Sequence, residues 1–268
     1  MIRERIYLTD DKVNYIDTYV YDDERIPPTD AMLVIPGGGY GCVCADREGE
    51  PIALAFASRG INSFVLNYHT GTSNTHPVQL LDAARAIHYI RENAQRYHID
   101  PQRLFVVGFS AGGHLAGMLA TMYLEAEELL NLEKNAVRPS GVIMSYPVVT
   151  AYMPTHGRTF ENLLGKSFEE ISADERERFS IEKRVDANTS PAFIWHSAED
   201  KAVPPCSSLL LAEAYVNAGV TVEMHLYPYG PHGLALANEY TAVGNPDMIQ
   251  KKAQSWVDDA IEWIKTVN

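Results

Sequence analysis

Three side chains in this chain, Ser110, Asp200 and His232, could together turn a hydroxyl into an attacking group. A serine hydroxyl is a weak nucleophile until a base takes its proton, and that base works only when a third group orients it. Ser110 sits inside "GFSAG" (108–112), Asp200 inside "AFIWHSAEDKAVP", and His232 inside "YPYGPHGLAL". The chemistry such a set performs is acyl transfer to water: serine attacks a carbonyl, histidine carries the proton, and the carboxylate holds the ring.

The spacing around Ser110 carries the strongest signal. "RLFVVG" reads as a buried strand and "AGGHLAGMLATMYL" as a buried helix, so the serine falls on a sharp strand-to-helix turn. Gly108 and Gly112 flank it at two positions either side, where the turn leaves no room for side chains. A serine N-cap is the plain alternative. The strand–turn–helix context favours the nucleophile, because the helix N-terminus also stabilises developing negative charge.

For the acid, Glu199 competes with Asp200, and the pattern D-x-x-V-P selects Asp200. His196 ends a strand and reads as packing or a lid contact, while His114 reads as a structural histidine inside the helix. His69, His76, His88, His98, His156 and His225 have no motif around them and are assigned to surface or core.

A second glycine run, "PGGGY" (36–40), follows the apolar run "AMLVI". Attack on an acyl carbonyl places negative charge on oxygen, and preorganised backbone N–H groups stabilise it. Gly38, Gly39 and Ala111 are the expected donors, with Tyr40 as a further contributor or substrate contact. Phosphate binding is disfavoured, since the run lacks G-x-G-x-x-G spacing and no Walker lysine follows.

The elements that must carry these residues alternate along the chain. Short apolar runs recur at 31–35, 62–68, 103–108, 141–146, 192–196 and 222–227, separated by helical patterns at 50–58, 77–97, 205–218 and about 246–266. Strands apolar on both faces, alternating with helices, predict a mostly parallel sheet with helices on both faces. The first thirty residues alternate loosely and suggest an antiparallel hairpin. Residues 150–190 break the rhythm with one or two short helices and no strand, which suggests a lid insertion, or a solvated excursion, within one domain spanning 1–268.

Composition narrows the partners. With 35 acidic and 22 basic residues the formal charge is −13, which argues against nucleic acid and anionic lipid and towards a small neutral or cationic ligand. No apolar run approaches a membrane span, and "MIRERIYLTDD" lacks a signal-peptide core, so the expected location is cytoplasmic. Cys42, Cys44 and Cys206 read as free thiols, with neither a metal site nor a cofactor expected. Tyr152, Phe160 and Phe168 of the insertion suit either the pocket or a homodimer contact.

"PGGGY", "GFSAGGHLAG", "HSAEDKAVP" and "GPHGLAL", in that order, resemble the α/β-hydrolase esterases, in particular the acetyl xylan esterase or bifunctional feruloyl/acetyl esterase branch. The resemblance runs from about Ala31 to the C-terminal helix. It implies an α/β-hydrolase fold, Ser110, Asp200 and His232 as catalytic residues, and Gly38, Gly39 and Ala111 as the oxyanion hole. It also implies short acyl esters, often acetyl groups on sugars, and hence a small-molecule or oligosaccharide ester as substrate. Pro36 stands where hormone-sensitive-lipase-like relatives carry a loop-orienting histidine, which leaves the packing of this loop open. A general carboxylesterase or lipase, an arylformamidase-like hydrolase and a ligand-binding pseudoenzyme remain the alternatives.

Overall fold

In the computed structural model, which describes every residue except Asp22, Glu24 and Asn268, the apolar runs assemble into one eight-stranded sheet. The strands are β1 (Arg5–Tyr7), β2 (Tyr15–Tyr19), β3 (Thr29–Ile35), β4 (Asn62–Asn67), β5 (Ile99–Phe109), β6 (Gly141–Ser145), β7 (Ala192–Ser197) and β8 (Val222–Tyr227). Their order is β1-β2-β4-β3-β5-β6-β7-β8. From β4 to β8 neighbours run parallel, while β1 and β2 form an antiparallel hairpin that docks on β4. The part of the hairpin expectation that touches Asp22 and Glu24 lies outside the described residues.

The helices are α1 (Ala45–Glu48), α2 (Glu50–Ala57), α3 (Val78–Glu92), α4 (Ala111–Leu130), α5 (Gly157–Leu164), α6 (Ala173–Phe179), α7 (Cys206–Asn217) and α8 (Trp256–Thr266). Side chains alternate across a strand, so each central strand feeds two cores. Leu33, Ile35 and Val106 join Leu80, Leu115 and Leu211 of α3, α4 and α7 on one face. Met32, Val34, Phe105 and Val107 join Phe56, Trp256 and Ala260 of α2 and α8 on the other. Burial on both faces is why these strands read as continuous apolar runs.

The last helix is shorter than its apolar stripe suggests. Ahead of it lie only two short 3₁₀ turns, Pro246–Met248 and Ala253–Ser255, and the Gln250 N–H between them donates to Ala237 O at 2.9 Å, tying this segment to a neighbouring loop. The α3 stripe is likewise longer than its helix: at Asn93 the helix stops, although Tyr97 beyond it is still buried.

The insertion at 150–190 holds α5, α6 and two 3₁₀ turns. It is packed rather than solvated, sending Phe160, Leu163, Ile171, Phe179 and Ile181 into the core beside α4. Phe160 therefore belongs to the core, whereas Tyr152 stays 38% exposed.

Candidate active site

Where β5 meets α4 the chain turns on Ser110, whose backbone sits at φ +54°, ψ −116°. That conformation is costly for a residue with a side chain and is held by its surroundings. The Ser110 N–H donates to Ser145 O at 3.0 Å. A Cβ at Gly108 would lie 2.1 Å from Gly112 O, and one at Gly112 would lie 2.2 Å from Ile35 O. Both glycines are thus required by space, and the turn leaves the Ser110 side chain at the carboxyl edge of the sheet.

Two later loops meet it there. His232, in the loop after β8, places Nε2 at 2.8 Å from Ser110 Oγ and Nδ1 at 2.6 Å from Asp200 Oδ2. Asp200, in the loop after β7, is buried, and its Oδ1 accepts the N–H groups of Ala202 and Val203, each at 2.9 Å. Burial works against the charge of this carboxylate. Hydrogen bonds from His196 and His232 outweigh it and hold the acid well below the usual carboxylate range. A hydroxyl so placed can pass its proton to an imidazole whose other nitrogen is fixed by an anion. Glu199 has no part in this hydrogen-bond chain; its carboxylate accepts the Gly230 N–H at 3.1 Å.

The "PGGGY" loop lies across the cavity from His232. Gly38, Gly39 and Ser110 line one space of about 180 Å³. Among the described residues no group accepts the N–H of Gly38, Gly39 or Ala111, so these three donors are uncommitted beside the serine. The loop is held without a histidine at position 36. Tyr68 O–H donates to Pro36 O at 2.8 Å, Asn162 Nδ2 donates to Gly39 O at 2.8 Å, and the Gly37 N–H donates to Glu48 Oε2 at 2.8 Å.

Tyr40 departs from the expectation. Its ring is fully buried and its hydroxyl meets His114 Nδ1 at 2.9 Å, so it does not face the cavity. His114 Nε2 reaches Phe179 O at 2.8 Å, which makes Nε2 the protonated nitrogen and Nδ1 the acceptor. Tyr40 and His114 therefore lock the glycine loop, α4 and the insertion together.

Three residues of the site escaped sequence reasoning. His196 is fully buried and reaches Asp200 Oδ2 and Val203 O, each at 3.1 Å, while Ser208 Oγ lies 2.8 Å from its Nδ1. Its role is to hold the acid, not to pack or to touch a lid. His156, just ahead of α5, lines the cavity beside Gly39 instead of lying on the surface or in the core. Glu48 lines it from below. A strand-end histidine four residues before the acid was a usable signal for His196; no local pattern marks the other two.

The mostly parallel sheet, the strained serine turn and the two loops that complete its hydrogen-bond chain define an α/β hydrolase. The family model BD-FAE matches residues 16–215, and the chain belongs to this family. It is 41% identical over 226 residues to endo-1,4-beta-xylanase B of Butyrivibrio fibrisolvens, covering 82% of this chain and 34% of that protein. It is 28% identical over 247 residues to the acetylxylan esterase of Xylanibacter ruminicola, covering 90% of this chain and 46% of that one. The chain thus spans between about a third and a half of these curated relatives. Among solved structures, MGS-M1, an alpha/beta hydrolase enzyme from a Medee basin deep-sea metagenome library, matches with 33% identity and a TM-score of 0.81 over 100% of this chain and 98% of its own.

Proposed function

We propose that this chain is a serine carboxylic ester hydrolase that removes short acyl groups, above all O-acetyl groups of oligosaccharides, through an acyl-enzyme. One observation carries the reading: the unbroken chain Ser110 Oγ to His232 to Asp200, at 2.8 and 2.6 Å, opens beside uncommitted N–H donors. Ser110 Oγ attacks the ester carbonyl as its proton moves to His232 Nε2. The oxyanion takes hydrogen bonds from Gly38, Gly39 and Ala111. His232 then protonates the departing alcohol, and water repeats the sequence to release the acid. Asp200 stays ionised throughout and keeps the imidazole in the Nδ1–H tautomer.

Size and polarity support the substrate class. The cavity of about 180 Å³ suits a small acyl group, being well below the roughly 300–1,000 Å³ of drug-sized sites. An adjoining cleft of about 570 Å³ shares His232 and Ala202 and is bordered by Glu199, Lys201, Asp247 and Gln250, a lining that suits a hydroxyl-rich alcohol. The acetylxylan esterase relative points the same way.

The test compares kcat/KM on p-nitrophenyl acetate, butyrate and octanoate with acetate release from acetylated xylo-oligosaccharides. A steep fall with chain length plus acetate release is expected. Flat or rising activity with chain length and no acetate from the sugar would leave a general carboxylesterase.

A further inference from the structure

Glu48 ends α1 beneath the catalytic cavity and is 3% exposed, a costly place for a carboxylate. Both of its oxygens are engaged, by two uncharged donors rather than by a cation. The Gly37 N–H donates to Oε2 at 2.8 Å and the Tyr146 hydroxyl donates to Oε1 at 2.7 Å. Tyr146 Oη in turn accepts the N–H of Ala235 at 3.0 Å. The direction of this relay is fixed, because the backbone groups at its two ends can only donate.

The ends of the relay are the two loops of the site. Gly37 immediately precedes Gly38 and Gly39, and Ala235 lies three residues beyond His232. The Tyr146 ring stands edge-on to the His232 imidazole, with centroids 5.1 Å apart and planes at 75°. Two further details show that the chain accommodates this link. A Cβ at Gly37 would lie 2.9 Å from Glu48 Oε2 and 2.7 Å from Phe109 O, so the first glycine of the run makes room for the carboxylate. Tyr146 is held at φ +39°, an unfavourable backbone for an aromatic residue that its neighbours must enforce.

We propose that Glu48 is a positioning residue: through Tyr146 it ties the oxyanion loop to the loop bearing His232 and keeps the two in register. The proposal rests on the reading of Ser110 as nucleophile. A misplacement of about 1 Å between such groups costs on the order of a hundredfold in rate, so the link acts on the chemical step rather than on substrate affinity.

The test uses Glu48→Gln, Tyr146→Phe and the double variant, with active sites counted by paraoxon labelling of Ser110 and folding checked by thermal melts. Per active site on p-nitrophenyl acetate, Glu48→Gln lowers kcat about 30-fold and Tyr146→Phe about tenfold, with KM within about twofold. The double variant is no slower than Glu48→Gln, because the two groups form one serial link. Full kcat in either single variant, losses that multiply in the double, or a raised KM at constant kcat would overturn the proposal. Tyr146→Phe removes one hydroxyl and keeps the ring, so it carries the test should Glu48→Gln not fold. Failure of the nucleophile reading shows separately, as a wild-type enzyme that turns over without taking the label on Ser110.

Discussion

His196 and His232 share one carboxylate oxygen: Asp200 Oδ2 lies 3.1 Å from His196 Nε2 and 2.6 Å from His232 Nδ1. The acid is thus gripped from behind by a fully buried ring while its front face orients the ring that reaches Ser110. Replacing His196 by Leu leaves the Ser208 hydroxyl and one direction of the carboxylate unpaired. The expected outcome is a loss of about tenfold in kcat together with about 1–3 kcal/mol of stability, read from steady-state kinetics and urea unfolding.

Ser110→Ala should abolish measurable turnover of p-nitrophenyl acetate while the melting curve stays near that of wild type, since removing one partly buried hydroxyl leaves no cavity of consequence. Asp200→Asn should lower kcat by on the order of 10³–10⁴-fold, because an amide no longer stabilises the positive imidazole or enforces its tautomer. Hydrolysis persisting in Ser110→Ala at wild-type rate would remove the serine mechanism.

Gly108→Ala should be among the most damaging substitutions in the chain. Its methyl would sit 2.1 Å from Gly112 O, a backbone atom that cannot step aside without opening the turn. A loss of more than about 4 kcal/mol, seen as failure to recover folded protein or as a collapsed urea midpoint, is expected.

His114 makes stability depend on pH. Burial pushes its imidazole down to about 4, whereas an unfolded histidine titrates near 6.5. Between those values the unfolded chain binds more protons, so this contribution is complete above the unfolded value and is lost as pH falls towards the folded one. From pH 7 to pH 5 the loss amounts to about 2 kcal/mol. Urea unfolding at both pH values, compared with His114→Leu, isolates it: the variant should be weaker at pH 7 but show a shallower decline. An equal decline in the two proteins would rule this account out.

What could be read along the chain were the local devices. The G-x-S-x-G turn declares itself through its glycines: Gly108 is demanded by Gly112 O, four positions on, while Gly112 is demanded by Ile35 O of the neighbouring strand. The apolar runs within the central strands β3 to β7 declare themselves because burial on both faces selects apolar residues there, whereas the edge strand β8 keeps Glu223 and His225. Asp200 and His232 were legible by their order and by their loops after strands. Tyr40 misled, since a tyrosine after glycines gives no sign of which way its ring turns; only the meeting with His114, 74 positions later, sends it inward.

By itself, then, the order of residues determined the strand–helix alternation and the serine turn, because these depend on local sterics and burial pattern, and it marked Asp200 and His232 through their order and their loops after strands. Only the tertiary structure decided who holds them. Ser110 and His232 are 122 positions apart, and Glu48 and Tyr146 are 98. The supports Glu48 and Tyr146 carry no local mark, because their meaning is a hydrogen bond across the fold, and that bond exists only once the sheet has brought its loops to one edge.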